Sequence, residues 1–222
     1  MTERPGYLIS LEGLDGAGKS TQVASLAAAL RATGRDVITV RPNDTRLGEW
    51  IRALVLQHQL GSAVDPWAEA LLFIAGRAQL VREVIVPALE RGSVVIADRF
   101  VDSTLAYQGG GRGLPIDELL HLHTVVCVDV WPQLTIYLDV PLVTAVSRQR
   151  AQQLPLDRIE VAPEQFHAAV RDAFDRLAAA YPKRIVRVDA TRPAMELSRD
   201  IADVVLARLP QTALRARAAA PV

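Results

Sequence analysis

The 222-residue chain has one cysteine, Cys127, so no disulfide can form within it. That excludes the disulfide-stapled scaffolds of small secreted domains and fits a reducing compartment. Cys127 sits in an apolar run, where a buried inert thiol is expected rather than a nucleophile. No apolar run approaches the roughly 20 residues that cross a bilayer, so no membrane partner is expected. The opening Met1-Thr2-Glu3-Arg4-Pro5 carries no signal-peptide core, and a cytoplasmic location is expected. Neither sign of charge is in excess, with 25 Lys+Arg against 25 Asp+Glu. A strongly basic nucleic-acid binder is therefore unexpected. Internal repeats, a domain linker and the N-K-x-D guanine reader of a GTPase switch are also missing. What remains is a chain that is 50% hydrophobic and long enough for one α/β domain with a full core.

One stretch organises the rest. Leu11-Glu12-Gly13-Leu14-Asp15-Gly16-Ala17-Gly18-Lys19-Ser20-Thr21 contains G-x-x-x-x-G-K-S, the phosphate-binding loop pattern. The apolar run before it suits a buried strand, and Val23, Leu26, Ala27 and Leu30 after it recur at helical spacing. The loop is thus expected to join a strand to the first turn of a helix. Gly13, Gly16 and Gly18 permit backbone conformations that a Cβ forbids. Successive N–H groups can then turn towards phosphate oxygens, and the helix N-terminus adds unpaired donors. In that setting Lys19 reaches the β- and γ-phosphates of ATP and Ser20 holds Mg²⁺.

Short apolar runs predict strands at 7–11, 36–40, 93–98, 134–140 and 184–188. Helices are expected at 19–33, at 47–60 with a stop at Gly61, at 67–90 behind an Asp65-Pro66 cap, and then at 115–127, 141–150, 164–181 and 194–209. This alternation predicts a parallel sheet covered on both faces. Residues 1–209 read as one domain, and the Ala- and Arg-rich 210–222 as a frayed tail.

Ligands of such sheets bind beyond the carboxyl ends of the strands. That edge receives Asp98, a candidate Mg²⁺-side carboxylate, and Arg99, whose planar fork suits phosphate oxygens. Arg41 ends the second strand, where it serves equally well as an anion binder or a solvated surface residue. On helix 67–90, Leu71, Ile74, Ala78, Val81 and Ile85 form one stripe, and Phe73, Leu80 and Val84 a second. A helix apolar on two faces needs cover on two sides, here the sheet and either a ligand cleft or another subunit. Phe73 and Arg77 are four apart and share a face. They could stack on and hydrogen-bond a planar base, although a core phenylalanine with a snorkelling arginine fits the same spacing. Ser103, Tyr107 and Gln108 lead into Gly109-Gly110-Gly111-Arg112-Gly113, which predicts a mobile or tightly turning loop. The polar, arginine-bearing segment 147–163 suits a lid over phosphates.

Together these stretches resemble the bacterial thymidylate kinase (dTMP kinase) family of P-loop nucleoside monophosphate kinases. The matching pieces are LEGLDGAGKST, LLFIAGRAQLV, ADRFVDSTLAYQGGGRGL, IYLDV, LDRIE and VDATRP, spread up to about Leu209. The resemblance implies a P-loop NTPase-type three-layer α/β sandwich with a five-stranded parallel sheet. It also implies a homodimer and transfer of the γ-phosphoryl group of ATP to dTMP with Mg²⁺. Implied donor contacts run along Gly13, Leu14, Asp15, Gly16, Ala17, Gly18, Lys19, Ser20 and Thr21, with Thr191 and Arg192 near the adenine and Ser20 with Asp98 around Mg²⁺. On the acceptor side, Asp15 is implied to meet the 3′-hydroxyl, Phe73 to stack on thymine and Arg77 to bond its edge. Arg41 and Arg99 would hold the acceptor phosphate, and Ser103, Tyr107 and Gln108 would line the nucleoside pocket.

The chain departs from the family pattern in two places. Arg41-Pro42-Asn43-Asp44-Thr45 stands where R-E-P-G-G-T is common, and Gly16 stands where some members carry an arginine. Members with glycine there place extra arginines in the lid, which points to Arg150, then Arg148, with Arg158 a third candidate. The expected catalytic set is Lys19, Asp98, Arg99 and Arg150. The competing readings are a kinase for another nucleotide and a nucleotide-binding regulator without a phosphoryl acceptor.

Overall fold

The structure, a computed structural model, describes residues 6–56, 64–151, 153 and 156–210. Five parallel strands are present: β1 (Tyr7–Glu12), β2 (Val37–Val40), β3 (Val94–Asp98), β4 (Leu134–Asp139) and β5 (Ile185–Asp189). Their order is β2-β3-β1-β4-β5, with Leu8 opposite Val95 and Ile9 opposite Leu134. β1 is therefore central. Leu8, Ile9, Ser10, Leu11 and Glu12 are all buried, so both faces of the strand are covered. The connection from β1 runs to β2 on one side, and the one from β3 passes β1 to reach β4 on the other, a reversal that opens a crevice at the carboxyl end of the sheet.

The helices are α1 (Lys19–Ala32), α2 (Arg46–Leu56), α3 (Pro66–Leu80), α4 (Val86–Glu90), α5 (Val101–Thr104), α6 (Ile116–Val126), α7 (Leu142–Ala151), α8 (Glu164–Ala180) and α9 (Ala194–Arg208). α1 and α9 pack on each other, α4 lies on β3, and α8 lies on β4 and β5. α3 and α4 are one expected helix interrupted by a π-helical turn at Val81–Ile85. Pro87 explains the interruption. It has no N–H, and its ring would press on the carbonyl four residues back; the wider turn relieves both problems. Leu71, placed in the inward stripe by periodicity, is exposed. Ile74, Val81 and Ile85 of that stripe are buried, together with Ala70, Arg77 and Leu80, and α2 packs closely over Gly76. The stop at Gly61 and the tail 211–222 lie outside the described residues, as do the last four positions expected for helix 47–60.

The glycine run is not a loop. Leu105–Gly111 forms a π-helical segment that continues α5, and Gly109 is buried within it. The reason is a close approach by α8 and α6. A Cβ on Gly110 would stand 2.4 Å from the Ala173 Cβ, and one on Gly111 would stand 2.4 Å from the Phe166 ring. This contact sets the Tyr107 ring between Phe166 and Phe174, at centroid distances of 6.2 and 6.3 Å. Edge-on aromatic pairs of this kind contribute about 0.5–1.5 kcal/mol each. Below them, buried Asp102 accepts from Arg184 at 2.7 and 2.8 Å and from Thr135 Oγ1 at 2.9 Å. That network pins the start of α5 to β4 and β5, and so fixes the residues just after β3.

Candidate active site

The loop after β1 has the geometry that its glycines allow. Gly16 has φ +83, and a Cβ there would meet the Ala145 carbonyl at 2.2 Å, so α7 seats directly on the loop. Gly18 caps α1 in the left-handed region. Ser20 and Thr21 are exposed at the loop mouth. Lys19 is buried and donates to the carbonyls of Gly13 (3.2 Å) and Leu14 (2.8 Å). Burial, helped by the positive charge of Arg99, pulls its pKa down to about 8; Asp15, Asp98 and Glu12 oppose the shift.

Asp98 ends β3 directly beside the loop. Its carboxylate accepts from Ser20 Oγ at 2.7 Å and lies 3.8 Å from Arg41 Nε. A hydroxyl and a carboxylate paired at a phosphate loop form an oxygen donor set suited to Mg²⁺. Arg41 itself is half-exposed at the carboxyl edge, its N–H held by Asp44 at 2.7 Å.

Arg99 adopts φ +75, an uncommon conformation for a bulky residue. The surroundings hold it there. Its N–H bonds the Leu11 carbonyl at 3.1 Å, and its guanidinium reaches Asp15, Ser103 Oγ (3.1 Å), Tyr107 Oη (3.0 Å) and the Gly13 carbonyl (3.0 Å). Tyr107 Oη in turn donates to Asp15 at 3.0 Å. Burial alone would raise the Asp15 pKa, but Arg99 and Lys19 hold the carboxyl far below its usual range. Asp15 thus stays charged and fixes an arginine at the loop.

Beyond Arg99 a cavity of about 130 Å³ is lined by Asp15, Phe73, Arg77, Arg99, Ser103, Thr104, Tyr107 and Gln108. Arg77 is buried; its Nη2 donates to the Phe100 carbonyl (2.9 Å) and Thr104 Oγ1 (2.7 Å), while its Nη1 is buried without a partner. A buried guanidinium N–H without an acceptor is costly. Phe73, one turn away on α3, is half-buried and shares the cavity wall. The pairing expected from spacing is therefore realised.

The remaining expected residues are less concentrated. Arg148 Nη1 donates to the Ala190 carbonyl at 2.9 Å, which brings α7 to the segment that holds Thr191. Thr191 is turned onto Asp189, and Arg192 onto Asp200 and Glu196 of α9. Arg150 is exposed, and its guanidinium makes no hydrogen bond or ion pair with another described residue. Arg158 points inward, away from the loop, and pairs with buried Glu69. That corrects its place among the arginines available to donor phosphates. Of 147–163, residues 152, 154 and 155 lie outside the described set.

Four positions that hold the cavity residues in place escaped the sequence reading. Thr104 supports Arg77. Glu12, at the end of β1, accepts from the Phe100 N–H (2.7 Å) and Ser103 Oγ (2.5 Å). Its burial, reinforced by Asp102, raises its pKa to about 7. Glu69 and Arg112 form an ion pair at 3.1 Å next to Gln108. The available signal was an acid inside an apolar element, as at Glu12 and Glu69.

Comparison with known proteins agrees with this geometry. The model of the Thymidylate kinase family matches residues 11–201. The chain is 45% identical over 212 residues to a protein of Thermomicrobium roseum named thymidylate kinase, covering 95% of this chain and 98% of that one. It is 46% identical over 197 residues to one of Deinococcus radiodurans, with coverages of 88% and 94%. It is 47% identical over 201 residues to one of Leifsonia xyli subsp. xyli, with coverages of 90% and 94%. With a P-loop NTPase-type α/β fold, a base-sized cavity that opens onto the phosphate loop and near-complete overlap with these relatives, the chain belongs to the thymidylate kinase family.

Proposed function

We propose that this chain transfers the γ-phosphoryl group of ATP to dTMP, giving ADP and dTDP, with Mg²⁺ and as a homodimer. The observation that carries the reading is that one cavity shares Asp15 and Arg99 with the phosphate loop and Phe73 and Arg77 with a base-sized wall. A donor phosphate on the loop and an acceptor phosphate near Arg99 then meet without a large movement. Proximity of that kind supplies much of the acceleration in phosphoryl transfer.

The roles follow from the contacts. Lys19 and the loop N–H groups of Gly13 to Thr21 bind the donor phosphates. Arg99 and Arg41 hold the acceptor phosphate, Arg99 being anchored by Asp15. Arg77 Nη1 donates to the base edge, Phe73 covers its face, and Ser103, Tyr107 and Gln108 border the sugar and base. Thr191, Arg192 and Arg148 lie on the adenine side, and Arg150, the exposed arginine of α7, is the one available to the transferring group. Ser20 and Asp98 hold Mg²⁺, which neutralises charge on the phosphate oxygens when bound. No side chain has to remove a proton, because the attacking monoester oxygen is already anionic above a second pKa of about 6.

The homodimer reading rests on large exposed hydrophobics on three packed helices: Leu47, Trp50 and Leu54 on α2, Leu71 on α3 and Val125 on α6. A cytoplasmic location is proposed from the lone buried cysteine. Among the described residues no helix is long and apolar enough to cross a membrane.

The test is ADP release with Mg-ATP and dTMP, dUMP, UMP, CMP, AMP or dGMP in turn. A strong preference for dTMP is expected. Preference for another acceptor would move the base assignment, and no turnover with any acceptor from folded, ATP-binding protein would favour a regulator.

A further inference from the structure

Glu69 is fully buried on α3, yet it is surrounded by more positive charge than it can neutralise. Gln108 Nε2 donates to Oε1 at 3.0 Å, Arg112 donates to both carboxylate oxygens at 3.1 Å, and Arg158 Nη2 donates to Oε2. Burial alone would raise the Glu69 pKa; the hydrogen bonds from Arg112, Gln108 and Arg158 reverse the shift and keep the carboxylate charged. The four side chains come from three separate parts of the chain that wall the acceptor cavity.

Arg158 makes the longest connection. Its Nε donates to the Val55 carbonyl at 2.9 Å, and its backbone N–H approaches the Leu56 carbonyl at 3.3 Å. These are the last two described carbonyls of α2, and the carboxyl end of a helix favours a cationic donor. The turn that carries Arg158 is closed on itself, since Asp157 Oδ1 accepts from the N–H groups of Ile159 (2.9 Å) and Glu160 (3.0 Å). Asp157, Ile159 and Glu160 line the cavity; Ile159 packs into the core, Glu160 accepts from Gln149 at 3.2 Å, and Arg158 adds the ion pair that ties the turn to buried Glu69.

We infer that Arg158 is a positioning residue for the acceptor: anchored on Glu69 and the end of α2, it holds the turn 157–160 across the mouth of the base cavity and, through Glu69, fixes the Gln108 amide. This rests on the proposed activity. It assigns Arg158 to acceptor binding, whereas a lid arginine would act on the donor phosphates.

The experiment measures kcat and both KM values for Arg158→Met, Arg158→Lys, Glu69→Gln and the Arg158→Met/Glu69→Gln pair, each checked for a cooperative melt. The acceptor is whichever nucleotide the unaltered chain prefers, so a failure of dTMP as acceptor is seen separately from a failure of the clamp. Charge-assisted hydrogen bonds of this type correspond to a rise in acceptor KM of about 10- to 100-fold in Arg158→Met. The fall in kcat is expected to be much smaller and the ATP KM to stay put. Arg158→Lys should recover part of the loss. The double variant should be no worse than the poorer single variant, because the two groups act as one unit. If Glu69→Gln fails to fold, Arg158→Met and Arg158→Lys decide alone. An unchanged acceptor KM in Arg158→Met overturns the inference, as does a loss confined to kcat and ATP KM.

Discussion

Lys19 carries a titration that ATP binding should expose. In the unliganded protein burial and Arg99 bring its pKa down to about 8. A triphosphate placed on the loop surrounds Nζ with negative charge and favours the ammonium form. Protonation is therefore incomplete before binding and complete after it. With a pKa of about 8, the lysine takes up about 0.1 proton per ATP at pH 7, about 0.5 at pH 8 and about 0.9 at pH 9. Linkage then requires the ATP Kd to rise about tenfold from pH 7 to pH 9, roughly 1.4 kcal/mol. The assay is calorimetric titration of ATP into the protein without acceptor, in pairs of buffers of different ionisation enthalpy. Glu12 titrates near neutrality and adds its own protons lower on the scale. The quantity of interest is thus the difference between the unaltered chain and Lys19→Met. An uptake difference that stays flat from pH 7 to pH 9 would refute the reasoning.

Arg77→Met should lower kcat/KM for dTMP by about 10- to 150-fold, the worth of one charge-assisted hydrogen bond, and lower that for dCMP less, because the Nη1 donor suits an oxygen and opposes an amino group; equal losses on both acceptors would make the role structural. His123 is buried against Phe100 and Trp131 with Nε2 beside the Val130 carbonyl, and burial pushes its pKa down to about 3. Since its folded pKa lies below the unfolded value of about 6.5, its neutral ring stabilises the fold above that pH and the contribution is lost as pH falls. The cost from pH 7 to pH 5 is about 2 kcal/mol, so His123→Phe should show that much less acid sensitivity in urea unfolding; identical slopes against pH would contradict the burial.

The strands were legible because each is a short, mostly apolar run bounded by turn residues, the pattern of a sheet with covered faces. The phosphate loop was legible because it needs only local geometry. Phe73 and Arg77 were legible as neighbours, but spacing alone could not separate base binding from core packing; their shared place in the cavity wall is what supports the base-binding proposal. The glycines at 109–111 were misread for a physical reason. Three glycines look like freedom when seen locally, whereas here they make room for Phe166 and Ala173 on a helix distant in sequence. Arg158 was misread in the same way. Its direction is set by Glu69, 89 positions earlier, and no periodic pattern carries that information.

The central place of β1 has a consequence during synthesis. It leaves the ribosome before either of its neighbours, since Leu8 pairs with Val95 and Ile9 with Leu134. At roughly 5–20 residues per second, translation leaves this strand without its first partner for about 4–17 s, and for longer without its second. An unpaired run of Tyr7, Leu8, Ile9 and Leu11 invites association with other nascent chains. Ser10 and Glu12 break that run with a hydroxyl and a charge. Later each finds a buried partner, Thr135 for Ser10 and the Phe100 N–H for Glu12. The same two side chains thus protect the nascent strand and, once the sheet closes, tie it to the residues that follow β3.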